Sequence, residues 1–195
     1  NEIAFIAENT VYILDRFGNT LLQKTIEDVW WAHATPIALG DLNKDGYLEL
    51  VFGLDWYVYV MNYEGIVLWS RLAYQSSFPV IGDINGDKNP DIVMSVSNAV
   101  LAWDSQGQPI DGFPKMITES IAGGSSGGTC LDDIDNDGKI ELIATSEVWQ
   151  NDMRMKRVYV WDLEGSYNKD TMEWPMFQHD PQHTGCHAPS NKPPV

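Results

Sequence analysis

Oxygen-bearing side chains recur in this chain at one spacing, three times over. The segments read DLNKDGYLE at 41–49, DINGDKNPD at 83–91 and DIDNDGKIE at 133–141. Counting each leading aspartate as position 1, side-chain oxygens stand at positions 1, 3, 5 and 9. They belong to Asp41, Asn43, Asp45 and Glu49, then Asp83, Asn85, Asp87 and Asp91, then Asp133, Asp135, Asp137 and Glu141. Position 7 can add only a backbone carbonyl, from Tyr47, Asn89 or Lys139. An all-oxygen shell suits Ca2+, a hard ion that takes about six to eight oxygen ligands. Mg2+ holds a tighter octahedron with more water, and Zn2+ favours His or Cys. The spacing therefore predicts about three Ca2+ ions, one per loop.

Two other readings of the loops are weaker. An EF-hand shares the opening residues but needs a glutamate at position 12 and flanking helices. Position 12 is Phe52, Met94 or Ala144, inside apolar runs. Metal-free Asx turns are the bland alternative. Against it, the three loops gather ten carboxylates, which repel one another unless cations lie between them. Loop two departs from the pattern. Lys88 stands where the others carry Gly46 and Gly138, at a position that wants a positive φ. Gly86 and Asn89 are expected to compensate with a different turn.

The loops must be held by short strands. Their leading aspartates lie 42 and 50 residues apart, and apolar runs flank each loop. Alternating runs follow: YVYVMNYEG at 57–65, NAVLAWDSQG at 98–107 and RVYVWDLEG at 157–165. Asn62–Gly65, Asp104–Gly107 and Asp162–Gly165 carry hairpin signals. An aromatic in a last short strand comes next, at Trp69, Phe113 and Trp174. Four short strands in this span are the arithmetic of a β-propeller blade. No sustained 3.6-residue periodicity is present, so helix should be scarce. Residues 1–19 align with the unit around 48–65, placing Asn1 at Leu48, Glu2 at Glu49 and Asp15 at Asn62.

The expected fold is thus all-β, with about three and a half four-stranded blades in residues 1–178. Their limits are 1–34 (partial), 35–77, 78–127 and 128–178, followed by a closing strap and Pro-rich linker at 179–195. Such an arc belongs to a propeller of about seven blades or to a small ring of about four. The chain starts at Asn1 without a Met or a signal segment, as an excised or processed piece does. The rest of the propeller, from the same polypeptide or a partner chain, is expected against the open arc.

On these residues the chain resembles the FG-GAP, or integrin-α N-terminal-like, repeat family. Its blades carry D-x-D-x-D-G-x-x-D/E calcium loops. WPMFQHDPQHTG at 174–185 is similar to the closing segment of secreted bacterial and archaeal propellers, and SNKPPV at 190–195 resembles an interdomain linker. The resemblance implies an extracellular or cell-surface module used in adhesion, ligand binding or as an accessory of secreted enzymes.

Composition narrows the partners. The formal net charge is -16, from 28 acids against 12 Lys and Arg. A phosphate backbone needs a basic face, so nucleic acid is excluded as a default partner. No apolar run is long enough for a membrane-spanning helix, so no membrane insertion is expected. His179, His183 and His187 are spaced like metal ligands on a helix. Pro181 and Gly185 break such a helix, which favours a hydrogen-bonded strap. GGSSGG at 123–128 lacks the Lys of a phosphate cradle.

Aromatics gather at the end of the blades opposite the acidic loops: Trp30, Trp31, Tyr74, Trp56 and Trp149, with His33. They either plug a central channel or cap the blades, or they stack against a glycan or protein ligand. Cys130 and Cys186 form either one bridge, tying the strap to its blade, or a buried and an exposed free thiol. The leading expectation is a non-enzymatic, calcium-binding propeller module. The alternative is the propeller part of a calcium-assisted polysaccharide lyase or other glycan-active enzyme, which would need a base such as His33, a Lys or a Tyr beside the aromatics. A quinone-dependent dehydrogenase is a more distant third, because the acidic loops do not fit it.

Overall fold

The computed structural model describes residues 2–31, 33–74, 76–117, 126–150 and 153–187, with backbone alone at 126, 148–150 and 154. Four antiparallel meanders follow one another along the chain, and none closes on itself. The first contains β1 (Glu2–Ala7), β2 (Thr10–Asp15) and β3 (Thr20–Thr25). The second contains β4 (Ala38–Gly40), β5 (Glu49–Leu54), β6 (Tyr57–Met61) and β7 (Val67–Leu72). The third contains β8 (Val80–Gly82), β9 (Asp91–Val96), β10 (Ala99–Trp103) and β11 (Lys115–Met116). The fourth contains β12 (Ser126–Asp132), β13 (Lys139–Gln150) and β14 (Met153–Ser166). The described residues hold a single short helical turn, at Lys169–Thr171.

The sheets stack in chain order, with one core between each consecutive pair. Val11 and Ile13 of the first sheet meet Leu50, Phe52, Leu54 and Met61 of the second. Ala38, Val51, Val58 and Val60 then face Ile92, Met94 and Trp103 of the third. Val80, Val93, Val100 and Ala102 face Leu131, Leu142 and Ala144 of the fourth. Strand alternation is the cause: in β6, Val58 and Val60 turn toward the following sheet while Tyr59 and Met61 turn toward the preceding one. A sheet covered on both faces has wholly buried inner strands, as β5 and β9 show. Fully burying one such Val, Leu, Ile, Phe or Met stabilises by about 1.5–3 kcal/mol.

The structure corrects four details of the sequence reading. The fourth sheet has three strands, because Asp162–Gly165 is no hairpin turn but continues β14, with Asp162 opposite Glu141 and Ser166 opposite Lys139. Gly165 there lets β14 touch the acidic loop of the third sheet: its N–H donates to Ile84 O at 3.1 Å, and a Cβ would lie 2.3 Å from Asp83 O. Trp174 is not in a fourth strand either. It bridges Ile81 of β8 through reciprocal backbone bonds of 3.0 and 2.9 Å, and its indole is buried in the core between the second and third sheets. A Trp buries more apolar surface in that position than on an outer edge strand. Phe113 precedes β11 rather than lying in it, whereas Trp69 does sit in β7, opposite Val60. The first sheet also has three strands, in the register expected for a partial unit.

The histidine segment is a strap, as the Pro and Gly demand. It is tied by Gly185 N–H to Gln178 O at 2.9 Å and by His187 Nε2 to Glu173 Oε2 at 2.6 Å. Residues 190–195 and Gly123–Ser125 of the glycine-rich segment lie outside the described residues.

Candidate cation loops and the opposite aromatic end

Each acidic loop joins the first two strands of its sheet, and the three loops share one hydrogen-bond pattern. The position-9 carboxylate accepts from the N–H of position 2: Leu42 to Glu49 at 3.0 Å, Ile84 to Asp91 at 3.1 Å and Ile134 to Glu141 at 2.8 Å. Position 3 accepts from the N–H of position 5, at 2.8 Å in Asn43, 2.9 Å in Asn85 and 3.0 Å in Asp135. Position 5 accepts from the N–H of position 7, at 2.7, 2.7 and 2.8 Å. Position 1 accepts from the N–H of position 6, through Gly46, Lys88 and Gly138. These bonds curl the backbone so that the side-chain oxygens converge. In loop three, Asp133, Asp135 and Glu141 each bring one carboxylate oxygen within 4.8 Å of the others.

Loop two does not adopt a different turn, and this corrects the expectation. Positions 4 and 6 are both left-handed in all three loops: Lys44 at φ 60° and Gly46 at 86°, Gly86 at 81° and Lys88 at 71°, Asn136 at 61° and Gly138 at 85°. The turn needs two left-handed residues, and loop two places its glycine at the first of them. Lys88 holds the other at a cost of about 1–2 kcal/mol, which glycine would not bear. Lys88→Gly should therefore raise stability by about 0.5–1 kcal/mol after the added backbone entropy is counted. Urea denaturation would read the gain, and a loss would contradict the shared-turn account.

Several of the converging oxygens lack a partner. Asp91 Oδ1, Asp133 Oδ1 and Glu141 Oε1 are buried and accept no hydrogen bond. Leaving a buried carboxylate oxygen unpaired is costly, and a cation in the loop would supply the missing partner. Loop one differs in that Glu49 Oε1 accepts from Asn43 Nδ2 at 3.2 Å. Burial pushes the Glu49 carboxyl up to about 7, with Asp45 and Asp41 adding repulsion. Asp91 is likewise pushed up to about 7, by burial and then by Asp87 and Asp83. Loops one and two are also linked: Lys44 Nζ donates to Lys88 O at 2.5 Å beside a cleft lined by Asp41, Asp83, Asp170 and Glu173.

The aromatics sit on the connections at the other end of the sheets, and they are exposed. Trp30 is 85 % accessible, and Trp31, His33, Trp56 and Tyr74 are exposed too. Trp56 and Tyr74 lie 5.8 Å apart, tilted. Asp55, which sequence reasoning passed over, organises this end. Its Oδ2 accepts from Trp30 N–H at 3.2 Å, its N–H donates to His33 O at 3.1 Å, and its Oδ1 is buried without a partner. The only sequence signal for it is an acid placed directly before a loop tryptophan. The side chain of Trp149 lies outside the described residues.

Cys130 and Cys186 are both free thiols, so the structure takes the unbridged alternative. Cys130 is half-buried rather than buried. Its register partners Ile143 and Val160 share its face, which no further sheet among the described residues covers.

No protein-family model matches the chain, and no curated protein matches it. Among solved structures it is similar to the V. cholerae biofilm matrix protein Bap1, with a TM-score of 0.47 and 18% identity over 77% of this chain. It is also similar to a protein of unknown function from Bacteroides caccae, with a TM-score of 0.43 and 11% identity over 81% of this chain. The chain spans 25% of the length of the first and 56% of the second.

Proposed function

We propose that this chain is a calcium-binding β-propeller module of a secreted or cell-surface protein, with a glycan or protein ligand held at its aromatic end. The observation that carries the reading is one loop geometry built three times from different residues, with buried carboxylate oxygens left unpaired in two of the loops. Asp41, Asn43, Asp45 and Glu49 would hold the first ion, with the Tyr47 carbonyl. The equivalent residues from Asp83 to Asp91 and from Asp133 to Glu141 would hold the others. Bound Ca2+ would offset the repulsion among the loop carboxylates and tie the first strand of each acidic-loop sheet to the second. Successive meanders of three or four strands with a core between each pair support the blade reading. No helix among the described residues is long and apolar enough to cross a membrane.

The exposed tryptophans support the ligand reading. Large apolar groups placed on loops, away from any core, serve as stacking anchors. Elemental analysis after dialysis against Ca2+ should find about three ions per chain, and about two in Asp133→Ala. A metal-free protein under saturating Ca2+ would refute the metal assignment. Tryptophan fluorescence titrated with soluble glycans tests the other end. A response that survives Trp30→Ala with Trp56→Ala would remove the aromatic site from the proposal.

A further inference from the structure

The strap after β14 brings two histidines and a glutamate together beside Trp174, and neither the acidic loops nor the aromatic end uses them. The backbone doubles back tightly here. Trp174 is fixed to Ile81 of β8, and His179 N–H donates to Met176 O at 3.0 Å. His183 N–H then donates to Asp180 O and Gly185 N–H to Gln178 O, both at 2.9 Å. Gln178, His179 and His183 are left-handed, at φ 55°, 73° and 54°. That conformation costs a non-glycine residue about 1–2 kcal/mol. Its result is that the imidazoles of His179 and His187 lie 5.8 Å apart between centroids, tilted at 60°.

Glu173 completes the group. Its Oε2 lies 2.6 Å from His187 Nε2, and the two side chains are only 19% and 16% exposed. Asp180 Oδ2 stands 3.5 Å from His179 Nδ1, a nitrogen that is buried and otherwise without a partner. A carboxylate beside Nδ1 favours the proton there and leaves the lone pair on Nε2, the arrangement that orients a metal-binding histidine. The His179 ring rests edge-on against Trp174 at 5.1 Å. His183 stays out of the group: its ring turns to Phe177, with Nδ1 3.3 Å from Phe177 O.

We propose that Glu173, His179 and His187 bind one divalent ion of the zinc class, through Glu173 Oε2, His179 Nε2 and His187 Nε2, with water as the fourth ligand. Two nitrogens and a carboxylate suit Zn2+ and not Ca2+, which takes oxygen alone. Zn2+ binds nitrogen at about 2.0–2.1 Å, so two imidazoles on one tetrahedral ion place their centroids about 5–6 Å apart. The observed 5.8 Å falls in that range. The ion takes the place of the proton shared by His187 and Glu173, which passes to solvent. The three donor atoms are not converged as the loop-three oxygens are, so binding also turns the His179 ring toward Glu173. The bound ion staples the strap to the segment that Trp174 anchors in the core. This site is independent of the calcium reading.

Titrating the protein with Co2+ under saturating Ca2+ tests the assignment, because tetrahedral Co2+ absorbs visible light and Ca2+ does not. One equivalent should develop the bands, and Zn2+ should bleach them. Zn2+ at about hundredfold excess over its dissociation constant should raise the melting temperature by about 5–10 °C beyond Ca2+ alone. His179→Gln, His187→Gln and Glu173→Gln should each weaken Co2+ binding by about a hundredfold or more, and Asp180→Asn by about tenfold. His183→Gln and Cys186→Ser should bind as the wild type does. Circular dichroism like that of the wild type separates lost ligation from lost folding in each variant. Absence of the bands at high Co2+ overturns the site, as does binding that survives His179→Gln with His187→Gln or that fails in His183→Gln or Cys186→Ser. If His187→Gln lowers the melting temperature and Zn2+ moves neither it nor the wild type, the strap is held by a plain ion pair and the proposal falls. None of these failures touches the calcium loops, whose ions are read by the chelator experiment below.

Discussion

Stripping divalent ions from this protein should lower its melting temperature by about 15–30 °C, and Ca2+ should restore it. The unfolded chain has no preformed loop, so ion binding stabilises only the folded state. One site at hundredfold excess over its dissociation constant contributes about 2.7 kcal/mol, and three such sites about 8 kcal/mol. That is comparable with the whole stability of an ordinary domain, about 5–15 kcal/mol. A chain of 195 residues moves by about 2–4 °C per kcal/mol, which sets the range. The loops should not respond equally. Asp133→Ala should shift the Ca2+-loaded melt more than Asp83→Ala, because loop three brings four carboxylates to its ion and loop two brings three. Both variants should match the wild type more closely once metal is removed. A melting curve that is the same with and without chelator would end the calcium account.

The acidic loops were legible in the sequence because their chemistry is local. Side chains at positions 1, 3 and 5 bond to backbone N–H groups within five residues, so the spacing encodes the turn. The loop-two exception was misread for a conformational reason. Gly46 and Gly138 mark the sixth position, but the fourth is left-handed as well, and a lysine occupies it in loop one. Two such positions can exchange their glycine without altering the turn. Asp162–Gly165 shows the opposite failure: a hairpin motif used for another purpose. Its glycine serves the close approach of Asp83 O, a contact with the second acidic loop that no local pattern announces. Trp174 was misplaced for the same reason, since its partner Ile81 lies 93 residues earlier. The faces of the strands, by contrast, follow from alternation alone, as Val58 and Val60 against Tyr59 and Met61 in β6 show.

Acidification should act in opposite directions on the metal-free and the Ca2+-loaded protein. In the metal-free state Glu49 and Asp91 hold their protons up to about 7. In the unfolded chain such carboxyls titrate at about 4. A folded-state value raised above the unfolded one favours the protonated fold. The stability linked to it is fully present below about pH 4 and is lost as the pH rises through about 7. Metal-free protein should therefore melt at progressively lower temperature between those limits. Calcium needs the same two groups ionised. Its affinity at loops one and two should fall by about tenfold per pH unit below 7, and binding near neutrality should release protons. The loaded protein should consequently lose stability as the pH falls. Scanning calorimetry of both forms across this window would show slopes of opposite sign. Glu49→Gln with Asp91→Asn should flatten the metal-free slope, since the amides keep the size of the groups but not their titration. A metal-free profile unchanged by that double substitution would show that the general charge of -16, and not these two carboxyls, sets the dependence.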